Sequence, residues 1–467
     1  MESYKVRINR ISVNYIKCVK SGDIFFNATE ALQNEKSSIM GIYGQNGSGK
    51  TVVIEVIAML KAILSGTQIS DRYLETISFG EKSGVLEIEF SVANNDHTDC
   101  AVVYRCESEQ RKNPNESMTT GNAAIVSAPN YIIAVINESL KISGLICGVK
   151  YPLQFIAHTN ELQQLIQPKS KCSLLFGNDE PTLKKLEQDK ILALYGSRSF
   201  IFSNQAAEAI EANCDHDFGF ILRVIRNFAI FRLFIVGGET QSKIPLPVNF
   251  VLENDEGGIH GLILFSLESK AFLPKSIFDV FISFMQPLNL VLSSMIPGLQ
   301  IIYKSQKATL DEKDDRYEIE LFSSRDSVNM IPLRHESLGI KKIISFLSLL
   351  IATYNDPRFV LVVDEFDSSV FEFLLGEMIS VMKASGRGQF IFTSHNLRPL
   401  EKLDDASICF TTTDSNNRYV KLKKKASNNL RDMYFRELSL GSNEYELYSS
   451  ESKNALAFAF RQAGWSE

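Results

Sequence analysis

The sequence predicts an α/β fold: a phosphate-loop core sheet joined to an antiparallel β subdomain and interrupted by an inserted helical subdomain. Three observations predict it. Gly41 to Thr51 is glycine-rich and lies between an apolar strand-like run, Ile39 to Tyr43, and an apolar helix-like run, Val52 to Leu60. Phe359 to Val363 is a continuous apolar run ending in Asp364 and Glu365, the pattern of a strand buried on both faces. Downstream, Gln389 to Ser394 is another apolar strand, ending in His395 and Asn396.

From Gly44 to Thr51 the loop reads Gly-x4-Gly-Lys-Thr in the strand-loop-helix context that a phosphate loop needs. Gly44, Gly47 and Gly49 allow positive φ and a close backbone approach to a polyphosphate, which side chains would block. The N–H groups of the loop, Asn46 and Ser48 included, and the helix N-terminus offer partial positive charge to the phosphates. Lys50 reaches the β and γ groups and Thr51 can hold Mg²⁺. A nucleoside triphosphate is the implied ligand.

Composition sets outer bounds. With 467 residues the chain holds about three domains on the usual ~150-residue scale. Its 45% hydrophobic and 22% charged content fits a globular protein with a sizeable core. A net charge of −6 gives no general pull towards nucleic acid, so such a contact needs a local basic patch. The 7 cysteines are scattered and form no CxxC pair, which argues against a disulfide framework and suits a reducing cytosol. The first residues carry no apolar signal core, and Ile343 to Tyr354 and Phe218 to Val236 are too short or too interrupted by arginine to span a bilayer. A soluble cytoplasmic protein is expected.

In chain order, the first lobe (1–200) opens with strands at Lys5 to Val13 and Ile16 to Phe26, with Ser21-Gly22-Asp23 as the turn signal. The loop helix runs to Leu64. Val85 to Phe90 and Ala101 to Arg105 alternate as antiparallel strands around Asn94-Asn95-Asp96, and Gln110 to Gly121 reads as a loop. Tyr131 to Ile136 and Leu140 to Ile142 read as another hairpin, and Asp179 to Lys190 as a solvated helix. The second region (201–300) is mainly helical: Phe218, Ile221, Leu222, Ile225, Phe228 and Ala229 recur at helical spacing, as do Phe281, Phe284, Leu288 and Val291, with Pro287 expected to kink or end that helix. The third (301–467) resumes with a hairpin, Leu299 to Tyr303 with Tyr317 to Phe322, before the second half of the site.

Ligands bind beyond the carboxyl ends of strands in open α/β sheets, so Asp364 and Glu365 stand where chemistry is expected. Asp364 fits a Mg²⁺-linked carboxylate, and Glu365 is placed to orient or deprotonate an attacking water. His395, at the tip of a neighbouring strand, could meet the γ-phosphate or the water. Upstream, Ser337 is an N-cap for the helix Ile343 to Ala352, and Gly339 keeps the backbone of that helix start open to an anion.

Taken together, Gly44 to Thr51, Glu336-Ser-x-Gly339, Asp364-Glu365 and Thr393-Ser-His395 resemble the ABC-type ATPases of the RecF and SMC group. The closer resemblance is to their compact bacterial relatives, including the ATPase parts of the overcoming-lysogenisation-defect nucleases and abortive-infection anti-phage ATPases. The resemblance implies ATP and Mg²⁺ as cofactors and a head-to-tail homodimer, or a higher oligomer, sharing two nucleotides. It also implies that Ser337 and Gly339 contact the partner's γ-phosphate, that Asp364 holds Mg²⁺, Glu365 the water and His395 the switch position, and that Asp367-Ser368-Ser369 is the dimer-crossing loop. Leu338 departs from the usual Ser-Gly-Gly signature, and Gln154 and Gln110 are weak candidates for the family's glutamine loop.

In the tail, Arg418 to Lys425 ends basic and reads either as a lysine-guarded edge strand or as a track for a phosphate backbone. No nuclease constellation follows His395. The expected function is an ATP-driven switch acting on a separate effector protein, in anti-phage defence, with no membrane contact. A RecF-like DNA-binding ATPase or slow nucleotide-gated scaffold is the alternative, and a small-molecule P-loop kinase ranks below both.

Overall fold

In the computed structural model, residues 4–74, 76–94, 97–113, 131–213, 217–237, 243–250, 259–309, 315–325, 329–421, 430–434 and 453–463 are described. The first lobe opens on β1 (Lys5–Ile16) and β2 (Val19–Phe25), an antiparallel hairpin that turns at Lys17 and Cys18. Ser21-Gly22-Asp23, expected as the turn, pairs inside β2 with Ser12 to Asn14. Gly22 serves packing instead, because a Cβ there would lie 2.5 Å from the Tyr419 ring.

After α1 (Ala28–Gln33), β3 (Ser38–Tyr43) is buried along its whole length and leads through the glycine loop into α2 (Lys50–Leu64). Four strands follow, β4 (Ser83–Asn94), β5 (Thr98–Lys112), β6 (Tyr131–Ile146) and β7 (Val149–Asn160), in an antiparallel sheet of order β2-β1-β4-β5-β6-β7. Residues 131–142, expected as both arms of a hairpin, are all in β6, and β7 is the second arm. Asn95, Asp96 and most of the expected loop after Gln110 lie outside the described residues.

Helices α3 (Lys169–Phe176) and α4 (Glu180–Tyr195) come next, α4 capped by Asp179 accepting from Thr182 N. They are followed by α5 (Asn204–Ala212) and α6 (Asp217–Phe231), whose Phe218, Ile221, Leu222, Ile225, Phe228 and Ala229 are buried as their spacing predicts. The region expected to be mainly helical is in fact mixed. Directly after α6 the chain forms β8 (Leu233–Val236), an edge strand of the core sheet, then β9 (Lys243–Phe250), β10 (Ile259–Ser266) and β11 (Ala271–Pro274). Helix α7 (Lys275–Met295) continues past Pro287. Phe281, Met285, Leu288 and Leu292 form one buried stripe across that position, and burying such side chains offsets the roughly 3 kcal/mol that an interior proline costs.

The stripe covers β12 (Gln300–Thr309) and β13 (Asp315–Ser324), an antiparallel pair in which β13 also pairs with β11 and with β14 (Ile331–Pro332). Next come α8 (Leu338–Asn355), β15 (Val360–Val363), α9 (Glu372–Ser385), β16 (Gln389–Thr393), β17 (Ile408–Thr411) and β18 (Tyr419–Val420). The core sheet has the order β18-β17-β3-β16-β15-β8 and is parallel except for β18. One apolar core fills the space towards the antiparallel sheet, with α2 and α6; a second fills the opposite face, with α7, α8 and α9. By length and composition α7 and α8 could cross a bilayer, contrary to the sequence expectation, but their apolar stripes pack into the second core.

Two buried side chains tie the sheets together. The Gln389 amide pairs with β1 as a strand would, accepting from Ile8 N at 2.9 Å and donating to Ile8 O at 2.8 Å. The Arg7 guanidinium crosses from β1 to the carbonyls of Phe359 and Arg387; burial lowers its pKa to about 9, with Asp356 opposing.

Candidate functional site

Strand order explains why distant stretches converge. Phe392 of β16 pairs with Gly41 of β3 on one side and with Val363 of β15 on the other. The carboxyl ends of β3 and β15 are therefore two strand spacings apart, about 10 Å, with the end of β16 between them. The glycine loop, His395 and Asp364-Glu365 are thus neighbours at one end of one sheet, although the sequence separates Lys50 from Asp364 by most of the chain.

The loop is held from below and open above. Gly47 has φ +76° and open space where a Cβ would be, and Gly49, with φ +95°, caps α2. A Cβ on Gly44 would lie 1.8 Å from Thr411 Oγ1, so this close approach requires glycine. Ser48 is buried, donates to Gln45 O at 2.7 Å and pairs with Thr411, while Asn46 and Gly47 are exposed on the crown. Lys50 Nζ donates to Gly44 O at 2.8 Å and Gln45 O at 2.7 Å, which keeps the ammonium under the loop. Burial lowers the Lys50 pKa, and Asp364, Asp367 and Glu365 oppose that shift. Thr51 opens α2 with its side chain exposed.

Two braces escaped the sequence reading. Tyr419 Oη donates to Gly49 O at 3.0 Å, and Arg418 reaches Thr412 O at 2.8 Å and Cys18 O at 2.6 Å. Arg418 and Tyr419 are buried behind the loop, so the start of the basic tail is part of the loop's support rather than a solvated edge. Residues 422–425 lie outside the described residues. An alternating pair before a run of lysines carries no sign of this contact.

On the carboxylate side Thr393 is the hub. Its Oγ1 donates to Asp364 Oδ1 at 2.5 Å and accepts from Glu365 N at 2.8 Å. Glu365 has φ +47°, a conformation costing on the order of 1–3 kcal/mol for a residue with a Cβ, and its side chain is exposed towards the loop end of the sheet. Asp367 Oδ2 accepts from the backbone of His395 at 2.9 Å and Asn396 at 2.8 Å, so it sets the height of the β16 tip. Asp367 Oδ1 is buried without a hydrogen-bond partner among the described residues. Lys342 of α8, missed by sequence reasoning, donates to Asp364 O at 3.1 Å; burial lowers its pKa while Asp364, Glu365 and Asp367 oppose.

The start of α8 is the third component. Ser337 caps it by accepting from Ile340 N at 3.3 Å, and both Ser337 and Leu338 are exposed. A Cβ on Gly339 would meet Ser369 O at 2.2 Å, so glycine is what lets this turn lie against Asp367-Ser368-Ser369. The weak glutamine candidates sit in the antiparallel sheet, Gln110 donating to Leu74 O at 3.2 Å and Gln154 pairing in β7 with Ile142.

These residues fit Mg²⁺ and a nucleoside triphosphate. The loop leaves a glycine cradle where side chains would intrude, Lys50 lies beneath it, and Thr51 and Asp364 offer oxygens from its two sides.

No family model and no curated protein matches the chain. Among solved structures it is similar to an SMC head bound to the C-terminal winged-helix domain of ScpA, with 14% identity, TM-score 0.43, and 90% of this chain and 98% of that one covered. It is also similar to the SMC head domain of Thermotoga maritima, with 13% identity, TM-score 0.37, and 90% and 100% covered. A third similar structure is the recombination mediator RecF with ATP, with 11% identity, TM-score 0.37, and 90% and 100% covered. Likeness of this degree assigns no role to any residue.

Proposed function

We propose that the chain is a cytoplasmic, ABC-type ATP hydrolase that closes into a head-to-tail dimer on ATP and reopens on hydrolysis, driving a separate effector protein. The observation that carries the reading is the meeting of Lys50, His395 and Asp364-Glu365 at the carboxyl end of one parallel sheet, with an exposed Ser337 cap beside them. Bound Mg²⁺–ATP supplies the electrophilic phosphorus and neutralises charge on the phosphate oxygens. Lys50 would meet the β and γ oxygens, and Thr51 and Asp364 would hold the metal. Glu365 would orient the attacking water and take its proton, and His395 would stand beside the γ-phosphate. Ser337 and Leu338 are exposed at the start of α8, where a second copy can present its own nucleotide to them. Anti-phage defence is the biological use that the sequence resemblance suggests.

In ATP, Glu365→Gln should accumulate an ATP-loaded dimer on size exclusion with light scattering, with turnover lower by roughly 10²-fold or more. Lys50→Ala should stay monomeric. A Glu365→Gln protein that binds ATP yet stays monomeric sinks the switch. A turnover rate that rises with added DNA favours the RecF-like alternative.

A further inference from the structure

At the opposite end of the core sheet lies a cavity of about 320 Å³, between the start of β1, helix α6 and the residues that lead into β8 and β15. Its charge is one-sided. Arg223, Arg232 and Arg358 line it, against the single carboxylate of Glu211. Arg358 and Arg232 share one carboxylate, Asp356, the first at 2.6 Å and the second at 3.9 Å. Arg223 has no ion-pair partner among the described residues, and its Nε is buried with no hydrogen-bond partner. Beside these cations the wall is aromatic: Tyr4 and Phe220 pack with ring centroids 4.7 Å apart, and Phe231 closes the side.

We propose that this cavity is a second ligand site, independent of the glycine loop, that takes a nucleoside monophosphate or its close chemical kin. The physical case has two parts. Guanidinium groups bind phosphate oxygens through planar, charge-assisted pairs, and Arg223 keeps a buried Nε donor without a hydrogen-bond partner among the described residues. Flat apolar walls beside them accept a planar ring, and the volume falls in the range of small-ligand sites. The loop site cannot account for these residues, since Arg232 and Arg358 precede strands whose far ends carry Val236 and Asp364.

The test uses the full-length Lys50→Ala protein, so that the loop site is disabled, and calorimetric titration with AMP, GMP and inorganic phosphate. At least one nucleotide should bind, more tightly than phosphate. Adding Arg223→Gln should weaken it about tenfold or more, as expected for loss of a charge-assisted hydrogen bond, and Arg223→Lys should weaken it less. Both variants should melt like their parent, since Arg223 makes no ion pair among the described residues. No binding of either nucleotide at millimolar concentration, binding indifferent to Arg223→Gln, or phosphate binding as tightly as the nucleotides would each overturn the proposal.

Discussion

Thr393 shows how much of this site depends on a side chain with no reactive chemistry. It fixes both the Asp364 carboxylate and the backbone of Glu365, whose left-handed conformation needs holding. Thr393→Val keeps the shape and removes both contacts. Turnover should fall about 10–100-fold, the usual effect of losing an outer-shell partner, while ATP binding persists. Phosphate release at saturating ATP measures it, and a wild-type rate would remove Thr393 from the site. Lys50, Asp364, Glu365 and His395 were legible in the sequence because their spacing within local motifs is visible. In the sequence Thr393 stands only as the first residue of Thr393-Ser-His395, Arg418 and Tyr419 only as the start of a basic tail, and Lys342 only as part of a helix start; the contact each makes runs through a neighbour that only folding supplies.

The segment between α8 and β15 carries a charge network that can be tested by pH. Burial works to raise the Asp356 carboxyl, but hydrogen bonds from Arg358 and the charges of Arg358 and Arg232 together hold it below the ordinary carboxylate value. A lowered folded pKa means that its stabilising contribution is present above the unfolded pKa, about 3.9, and is lost as pH falls through the folded value. Asp356→Asn should cost about 2 kcal/mol at pH 7, less than a fully buried pair because the site is partly solvated. Its urea midpoint should fall less steeply than that of the parent below about pH 4. Parallel pH profiles for the two proteins would show that Asp356 is not the linked group. Helical periodicity located α6, and the Ser337 cap located the start of α8. The same reasoning expected a kink or an end at Pro287, and the helix does not end there because the buried stripe of α7 outweighs one missing hydrogen bond.

At the scale of the whole molecule, polar contacts join the two sheets, and Gln389 is the most telling of them. Its amide replaces a missing strand partner for Ile8 and is fully buried. Gln389→Leu would leave the Ile8 N–H and carbonyl buried without partners, at a cost of about 3 kcal/mol. Urea unfolding should register that loss, and hydrogen exchange at the Ile8 amide should speed up selectively. Unchanged exchange at Ile8 would mean that the sheets are held elsewhere. A glutamine at the head of an apolar strand gives no hint of this in the sequence, because its partner lies at the other end of the chain.

What could be read from residues alone was local chemistry: a glycine loop of the right spacing, an apolar strand ending in two acids, and a capped helix, each set by short-range steric and hydrogen-bonding rules. The adjacency of these pieces, the entry of β8 into the core sheet and the braces behind the loop came only with folding. Strand order is fixed by which apolar faces can be buried together, and that depends on the entire chain at once.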